Sequence, residues 1–504
     1  MKETANIPPR SVAMLVFLTL ALTQLAALAA EPKQILGEPR ANETAIVFET
    51  MDGEKVDAFE GKIQVPENRG NPNSRLIPVH YVRFPATTAE PGPPIIYLAG
   101  GPGGSGILTA QYPRFRFPLF MALREHGDVI ALDQRGTGAS STLPKCVSGI
   151  SLPWAEPFTD AEVTHLHRVA AQECVGFWQG KGIDVFGYNT VESAKDIDDL
   201  RAHLGAQRVT LWGISYGSHL ALASLKVMGN HIHKMVIASA EGLDQTVKMP
   251  HSTDAYFDRL QIAIDTQQDA AALYPDVSAL IRRVHKRLEL NPIRLQIPAE
   301  QGATTEFLFQ RFHMQVLASS MIADPHRGVT QLLALYQEID QAGSSDEVKE
   351  AVAALVVRAG FIDRQISFDL MPFAMDVASG ITSKRLQQVK LEAQTSLLGL
   401  ALNFPMPQLA DLFPELDLGD EFRVFPRSSV PTLLLTGTLD GRTYIEEQQE
   451  ATRGLTNLTH VMVANAGHNL FMVSPDVTET IHKFLRDDKI DKDDIVIALP
   501  KFAM

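Results

Sequence analysis

The chain has 504 residues, 45% of them hydrophobic and 21% charged, which is enough apolar material for a large buried core and ordinary for a globular protein. A formal net charge of -14 argues against nucleic acid as a partner. No cluster of residues with metal-ligand spacing and no dinucleotide fingerprint appears, so neither metal nor cofactor is expected.

At the start, Lys2 and Arg10 precede an apolar run from Val12 to Ala30, with Ala27-Leu28-Ala29 as a small-x-small cleavage pattern. Residues 1–29 read as a secretory signal peptide, with an uncleaved anchor as the alternative because the run of about 19 residues nears a bilayer span. No later stretch is long and apolar enough to cross a membrane. The remainder is expected to fold in water on the exported side, periplasmic or secreted, without membrane contact once the signal is gone. The two cysteines, Cys146 and Cys174, are able to form one disulfide in an oxidising compartment, two buried free thiols being the alternative.

Downstream, Ala45–Thr50 and Ile63–Val65 are short β-like runs, and Leu76–Phe84 alternates apolar and polar residues as a half-buried strand does. Pro94–Leu98, Asp128–Leu132, Arg208–Trp212 and Lys234–Ala238 lack polar alternation, as expected for parallel strands covered on both faces. Helical stretches at Val191–Leu204 and Gly217–Met228 lie among them, so a βαβ alternation with a parallel sheet is predicted. From 242 to 430 the pattern turns helical, with candidate helices at Thr253–Leu273, Val277–Leu288, Glu306–Met321, Val329–Ala342, Asp346–Arg358 and Ser383–Leu400. Strands return at Pro431–Leu435 and His460–Val463, followed by a helix at Val477–Arg486. The expected plan is a core of residues 30–241 and 431–504 interrupted by a helical cap insertion, 242–430.

The strongest motif is Gly213-Ile214-Ser215-Tyr216-Gly217, a G-x-S-x-G between an apolar strand and a helix-forming run, which raises Ser215 on a sharp turn as a nucleophile. An ordinary turn serine is the bland alternative. Leu98 to Gly106 (LAGGPGGSG) follows directly on a buried strand, so backbone N–H groups there can face the site; with the residue after the nucleophile, Gly101 and Tyr216 are the candidate oxyanion donors. A hydroxyl nucleophile needs a base and a carboxylate to orient it. Asp440 after PTLLLTGT and His468 within Ala466-Gly467-His468-Asn469 supply them in the order Ser, Asp, His.

These residues resemble the α/β-hydrolases of the proline iminopeptidase and tripeptidyl aminopeptidase kind, including those with a TAP-like C-terminal region. The resemblance is carried by Gly100-Gly101-Pro102-Gly103-Gly104-Ser105, by Asp133-Gln134-Arg135-Gly136-Thr137-Gly138 with Ser140, by Tyr188-Asn189-Thr190 with Asp196 and Leu200-Arg201, and by the elbow, Pro431–Asp440 and Ala466–His468. It implies an α/β-hydrolase fold, a mostly parallel sheet with helices on both faces and a cap over Ser215. It also implies aminopeptidase activity in which acidic residues bind the substrate's α-amino group. Asp133 and Arg135 read as structural supports of the glycine loop through charge-assisted hydrogen bonds. Two departures stand out: Ile264 and Ala270 lie where family members often carry a cysteine pair, and Glu241 sits at the mouth-side end of a strand, either as an amine anchor or as a loop-solvating glutamate. The expected substrates are short peptides or other small molecules. Carboxylic ester hydrolysis by the same machinery is the alternative, and a non-catalytic binding protein on this fold the more distant one.

Overall fold

Fourteen strands are described in chain order: β1 (Glu43–Glu49), β2 (Lys55–Pro66), β3 (Leu76–Phe84), β4 (Ile95–Leu98), β5 (Val129–Leu132), β6 (Cys146–Ser151), β7 (Val209–Ser215), β8 (Ile232–Ala240), β9 (Ile293–Pro298), β10 (Thr304–Phe309), β11 (Gln365–Phe368), β12 (Thr432–Gly437), β13 (Leu458–Ala464) and β14 (Ile495–Val496). The structure is a computed structural model describing residues 38–298, 303–361, 363–490 and 494–503. The signal-like segment 1–29 lies outside them.

Ten strands make one sheet in the order β1-β2-β3-β5-β4-β7-β8-β12-β13-β14. The first three pairings are antiparallel and those from β5 to β14 are parallel. Neighbouring residues of one strand enter different core clusters: Leu211 and Leu434 pack in one, Trp212 and Leu433 in the other. Both faces of the parallel strands are therefore covered, which is why their sequences run apolar without alternation. β2 shows the opposite pattern, with Lys62 and Gln64 exposed beside buried Ile63 and Val65; its charged positions hid all but Ile63–Val65, near its end, in the sequence.

The segment 242–430 carries helices at Pro250–Asp265, Gln268–Leu273, Val277–Leu290, Arg311–Met321, Thr330–Ala342, Asp346–Arg358, Leu370–Ser379 and Ser383–Glu392. Three sequence expectations are corrected here. The candidate helix Glu306–Met321 starts only at Arg311, because Thr304–Phe309 pairs antiparallel with β9 as a hairpin. The stretch Thr253–Leu273 is two helices, broken where the Thr266 hydroxyl donates to Ala263 O at 2.7 Å. The last helix ends at Glu392 instead of Leu400, and beyond it the Leu397 N–H donates to Asp254 Oδ1 at 2.9 Å.

The unit just before the elbow is tied to this segment. β6 pairs antiparallel with β11, and the helix Asp160–Gly180 packs on both. Cys146 of β6 and Cys174 of that helix are joined as a disulfide across a separation of 28 residues. In the chain-entropy picture a loop of that length stabilises the fold by about 3–4 kcal/mol.

Asp133 behaves as expected. It accepts hydrogen bonds from the Ser105 hydroxyl (2.5 Å), Ile107 N (3.0 Å) and Ala139 N (2.8 Å), so it anchors the end of the glycine loop. Arg135 supports a different place. Fully buried, it pairs with both carboxylate oxygens of Asp196 (2.6 and 2.7 Å) and donates to Glu67 O and Gly187 O. Asn189 caps the helix Thr190–His203, which carries Asp196. The Arg135 and Tyr188-Asn189-Thr190 motifs thus form one charge-assisted network that fixes this helix.

Candidate active site

The parallel strands end together at one edge of the sheet, and five loops there, after β4, β7, β8, β12 and β13, bring the chemistry-bearing residues to one cavity of about 610 Å³. Such a meeting of loops at the carboxyl ends of parallel strands is where α/β sheets bind ligands. Gly101, Ser215, Glu241 and His468 all line this cavity.

Ser215 ends β7 and precedes the helix Tyr216–Met228 with φ 53° and ψ -128°. A side chain held at positive φ stores backbone strain of about 1–3 kcal/mol, and the close packing around the turn maintains it. A Cβ on Gly213 would lie 2.5 Å from Gly217 O, and one on Gly217 would lie 2.0 Å from Leu98 O. Only glycine fits at either position, so the two glycines of the motif are explained by steric contact with the elbow itself and with the end of β4.

Above the elbow, a Cβ on Gly100 would stand 3.2 Å from Ser215 Cβ, which sets the glycine loop directly against the serine. Asp133 holds the far end of that loop. Tyr216 is the first residue of its helix, so its N–H has no intrahelical acceptor. Its ring is fully buried, with the hydroxyl 3.2 Å from Thr190 Oγ1 and 3.1 Å from Met375 Sδ; these contacts turn the side chain into the core, and Tyr216 is not among the cavity walls.

Asp440 follows β12 and His468 follows β13, adjacent strands whose ends place the two side chains together. His468 Nδ1 lies 3.1 Å from each Asp440 carboxylate oxygen. The fully buried carboxylate also accepts from Arg442 N (2.8 Å), Thr443 N (2.9 Å) and Thr443 Oγ1 (2.7 Å). Burial by itself would raise the Asp440 pKa, but the His468 charge and these hydrogen bonds outweigh it and hold the carboxyl below its ordinary range. The segment 242–430 also holds the His468 loop: the His468 backbone N–H donates to Ala323 O at 2.8 Å, while Ser239 Oγ donates to His468 O at 2.7 Å.

Glu241 sits just beyond the end of β8, buried, and its N–H donates to Ser218 Oγ, which in turn donates to Ser215 O. Its carboxylate is bonded by Lys248 Nζ at 2.5 Å, and Lys248 lines the same cavity. Cys146 and Cys174 are not among the walls. Sequence reading missed Lys248, Arg116, Arg442 and Thr443. Of these only Thr443 left a trace, since Asp440-Gly441-Arg442-Thr443 has the form of a turn in which an aspartate accepts from the following amides.

Asp376 was also unsignalled. Burial first, and then the Glu241 charge, push its carboxyl from 3.8 up to about 7. A raised folded-state pKa means that its contribution to stability is full below the ordinary carboxylate pKa and is lost as pH rises through the folded value. Asp376→Asn is therefore expected to melt higher than the parent at about pH 8 and to lose that advantage at about pH 4. Thermal denaturation across this range checks it, and an advantage independent of pH would contradict the assignment.

Comparisons with known proteins bear on the fold. Residues 93–475 match the family model described as the alpha/beta hydrolase fold. Serine protease Hip1 of Mycobacterium tuberculosis (strain ATCC 25618 / H37Rv) is 30% identical over 194 residues, 36% of this chain and 36% of its own. Tripeptidyl aminopeptidase of Streptomyces lividans is 26% identical over 186 residues, 36% of this chain and 34% of its own. The matched region thus spans about a third of each relative's length. Among solved structures, the proline iminopeptidase-related protein from Thermus thermophilus superposes with a TM-score of 0.33 at 15% identity, covering 85% of this chain and 97% of that one. A thermophilic esterase from Thermogutta terrifontis gives a TM-score of 0.33 at 16% identity, covering 84% and 98%. With the family match running across both the elbow and the paired Asp440 and His468, the chain belongs to the α/β-hydrolase fold family.

Proposed function

We propose that the protein is an exported serine hydrolase acting as an aminopeptidase on short peptides, with Ser215 as nucleophile, His468 as general base and Asp440 as the group that orients it. The observation that carries the chemistry is the strained Ser215 in one cavity with a histidine whose Nδ1 is held by a buried carboxylate. His468 takes the Ser215 proton as Oγ attacks the carbonyl, and the amides of Gly101 and Tyr216 receive the developing oxyanion. His468 then protonates the leaving amine, and water resolves the acyl-enzyme by the reverse sequence.

Peptide substrates are favoured by the relatives named above and by Glu241, a buried acid on the cavity wall able to receive an α-ammonium group. A second reading, carboxylic ester hydrolysis, has its own observation: Lys248 already bonds Glu241, and Ile214, Val316, Leu402 and Phe404 make much of the wall apolar. Export is supported by the signal-like start and by the disulfide, which persists in oxidising compartments. Among the described residues no helix is long and apolar enough to cross a membrane.

The deciding experiment compares aminoacyl and tripeptidyl anilides having free amines with their acetyl-blocked forms and with nitrophenyl esters. The aminopeptidase reading expects free-amine anilides to be preferred, and Glu241→Gln to raise KM for them about tenfold or more, as loss of a charged hydrogen bond does. Equal or faster turnover of blocked anilides and esters would transfer the assignment to an esterase.

A further inference from the structure

Arg116 precedes the helix Phe117–Leu123 and is 1% exposed, yet its Nε and Nη1 have no hydrogen-bond partner among the described residues. Its guanidinium lies over the rings of Phe115 (4.4 Å) and Phe471 (4.9 Å). Two aromatic faces hold the cation in position without using its N–H donors. A buried guanidinium with idle donors is costly unless something pairs with it, and arginine's planar fork matches a carboxylate.

Its position says where that carboxylate belongs. Arg116 lines the Ser215 cavity and also an adjoining recess of about 380 Å³, and the two share Phe115, Arg116 and Asn469. The recess adds Arg114, His326 and Arg327 to its walls against one acid, Asp324, whose Oδ1 accepts from His326 N. Arg116 thus stands beside the His468 loop, with Asn469 next in the chain and Phe471 beneath it. A base that protonates the departing group must have that group on its own side, so this flank receives the leaving portion of the substrate.

We propose that Arg116 binds a carboxylate carried by the leaving group, making the preferred substrates short peptides with a free C-terminus and the released product a free-acid peptide. The proposal deepens the aminopeptidase reading and rests on it for the peptide nature of the substrate.

Two measurements test it. The first compares kcat/KM for unblocked alanine- and proline-containing tri- to pentapeptides with that for their C-terminal amides. The acid form should be preferred by about tenfold to a hundredfold, the worth of a charged hydrogen bond or two. In Arg116→Met that ratio should fall to about one, mainly through KM, and in Arg116→Lys it should be partly restored. Because the ratio is taken within each preparation, partial misfolding of a variant cancels.

The second measures inhibition of nitrophenyl acetate hydrolysis by alanyl-alanine, its amide and inorganic phosphate. The acid should inhibit at least tenfold better than either of the others. Equal use of acid and amide by the parent enzyme, a preference that survives in Arg116→Met, or equal inhibition by phosphate would each overturn the proposal. If free-amine anilides are not cleaved while the dipeptide acid still inhibits selectively through Arg116, the peptidase reading falls and the carboxylate site stands.

Discussion

Ser215→Ala is expected to lower kcat for every substrate by about four to six orders of magnitude, the scale seen when a nucleophile acting with a base is removed. The variant is unusually clean. Alanine keeps the Cβ, so the elbow retains φ 53° and its close approach to Gly100, and only Oγ is lost. The melting temperature should therefore stay within about two degrees of the parent, because no buried volume or cap is removed. KM should change little where substrate binding relies on Glu241 and on the rest of the cavity wall. Covalent labelling by a fluorophosphonate should vanish together with turnover. Residual activity within about tenfold of the parent would mean that another group attacks the carbonyl, and the roles given to His468 and Asp440 would fall with it.

The parallel core and the proposed triad were legible because both depend on local signals. Buried strands such as Pro94–Leu98 and Pro431–Leu435 announce themselves by unbroken apolar runs, and a G-x-S-x-G between strand and helix requires its glycines for steric reasons acting within a few residues and against Leu98. Asp440 and His468 were found because each follows such a strand. The β9–β10 hairpin was not legible, since Thr304–Phe309 is stabilised by its partner strand and has no strong alternation of its own. Around His165 and His167 the sequence reads as helical, but the bounds Asp160–Gly180 and the packing of that helix on β6 depend on contacts remote along the chain. Arg116, Lys248 and Asp376 could not be read for a more general reason. An isolated charged residue in sequence looks like any solvated one, and only burial, produced by contacts remote along the chain, makes it chemically distinctive.

Asp440→Asn is expected to reduce kcat by about three to four orders of magnitude with little change in KM. The carboxylate is tied down by Arg442 N, Thr443 N and Thr443 Oγ1, so its position does not depend on His468. An asparagine amide can occupy that position, but it presents an N–H₂ in place of one acceptor. Turned toward His468 Nδ1, the amide favours the tautomer with its proton on Nε2, the nitrogen that must be free to accept the Ser215 proton. Turned the other way, it sets its own donors against the N–H groups of Arg442 and Thr443. Either arrangement also loses the negative charge that stabilises the imidazolium formed during attack. Stability should respond with a definite sign. The native carboxyl is held below its ordinary pKa of 3.8, so its ionised form stabilises the fold above that value, and the contribution fades as pH falls through the lower folded-state pKa. The variant should thus melt below the parent near neutral pH, with the gap narrowing in acid. A loss of activity without that pH-dependent gap would place Asp440 in catalysis alone, whereas a gap with near-normal kcat would leave it a structural turn residue and require another partner for His468.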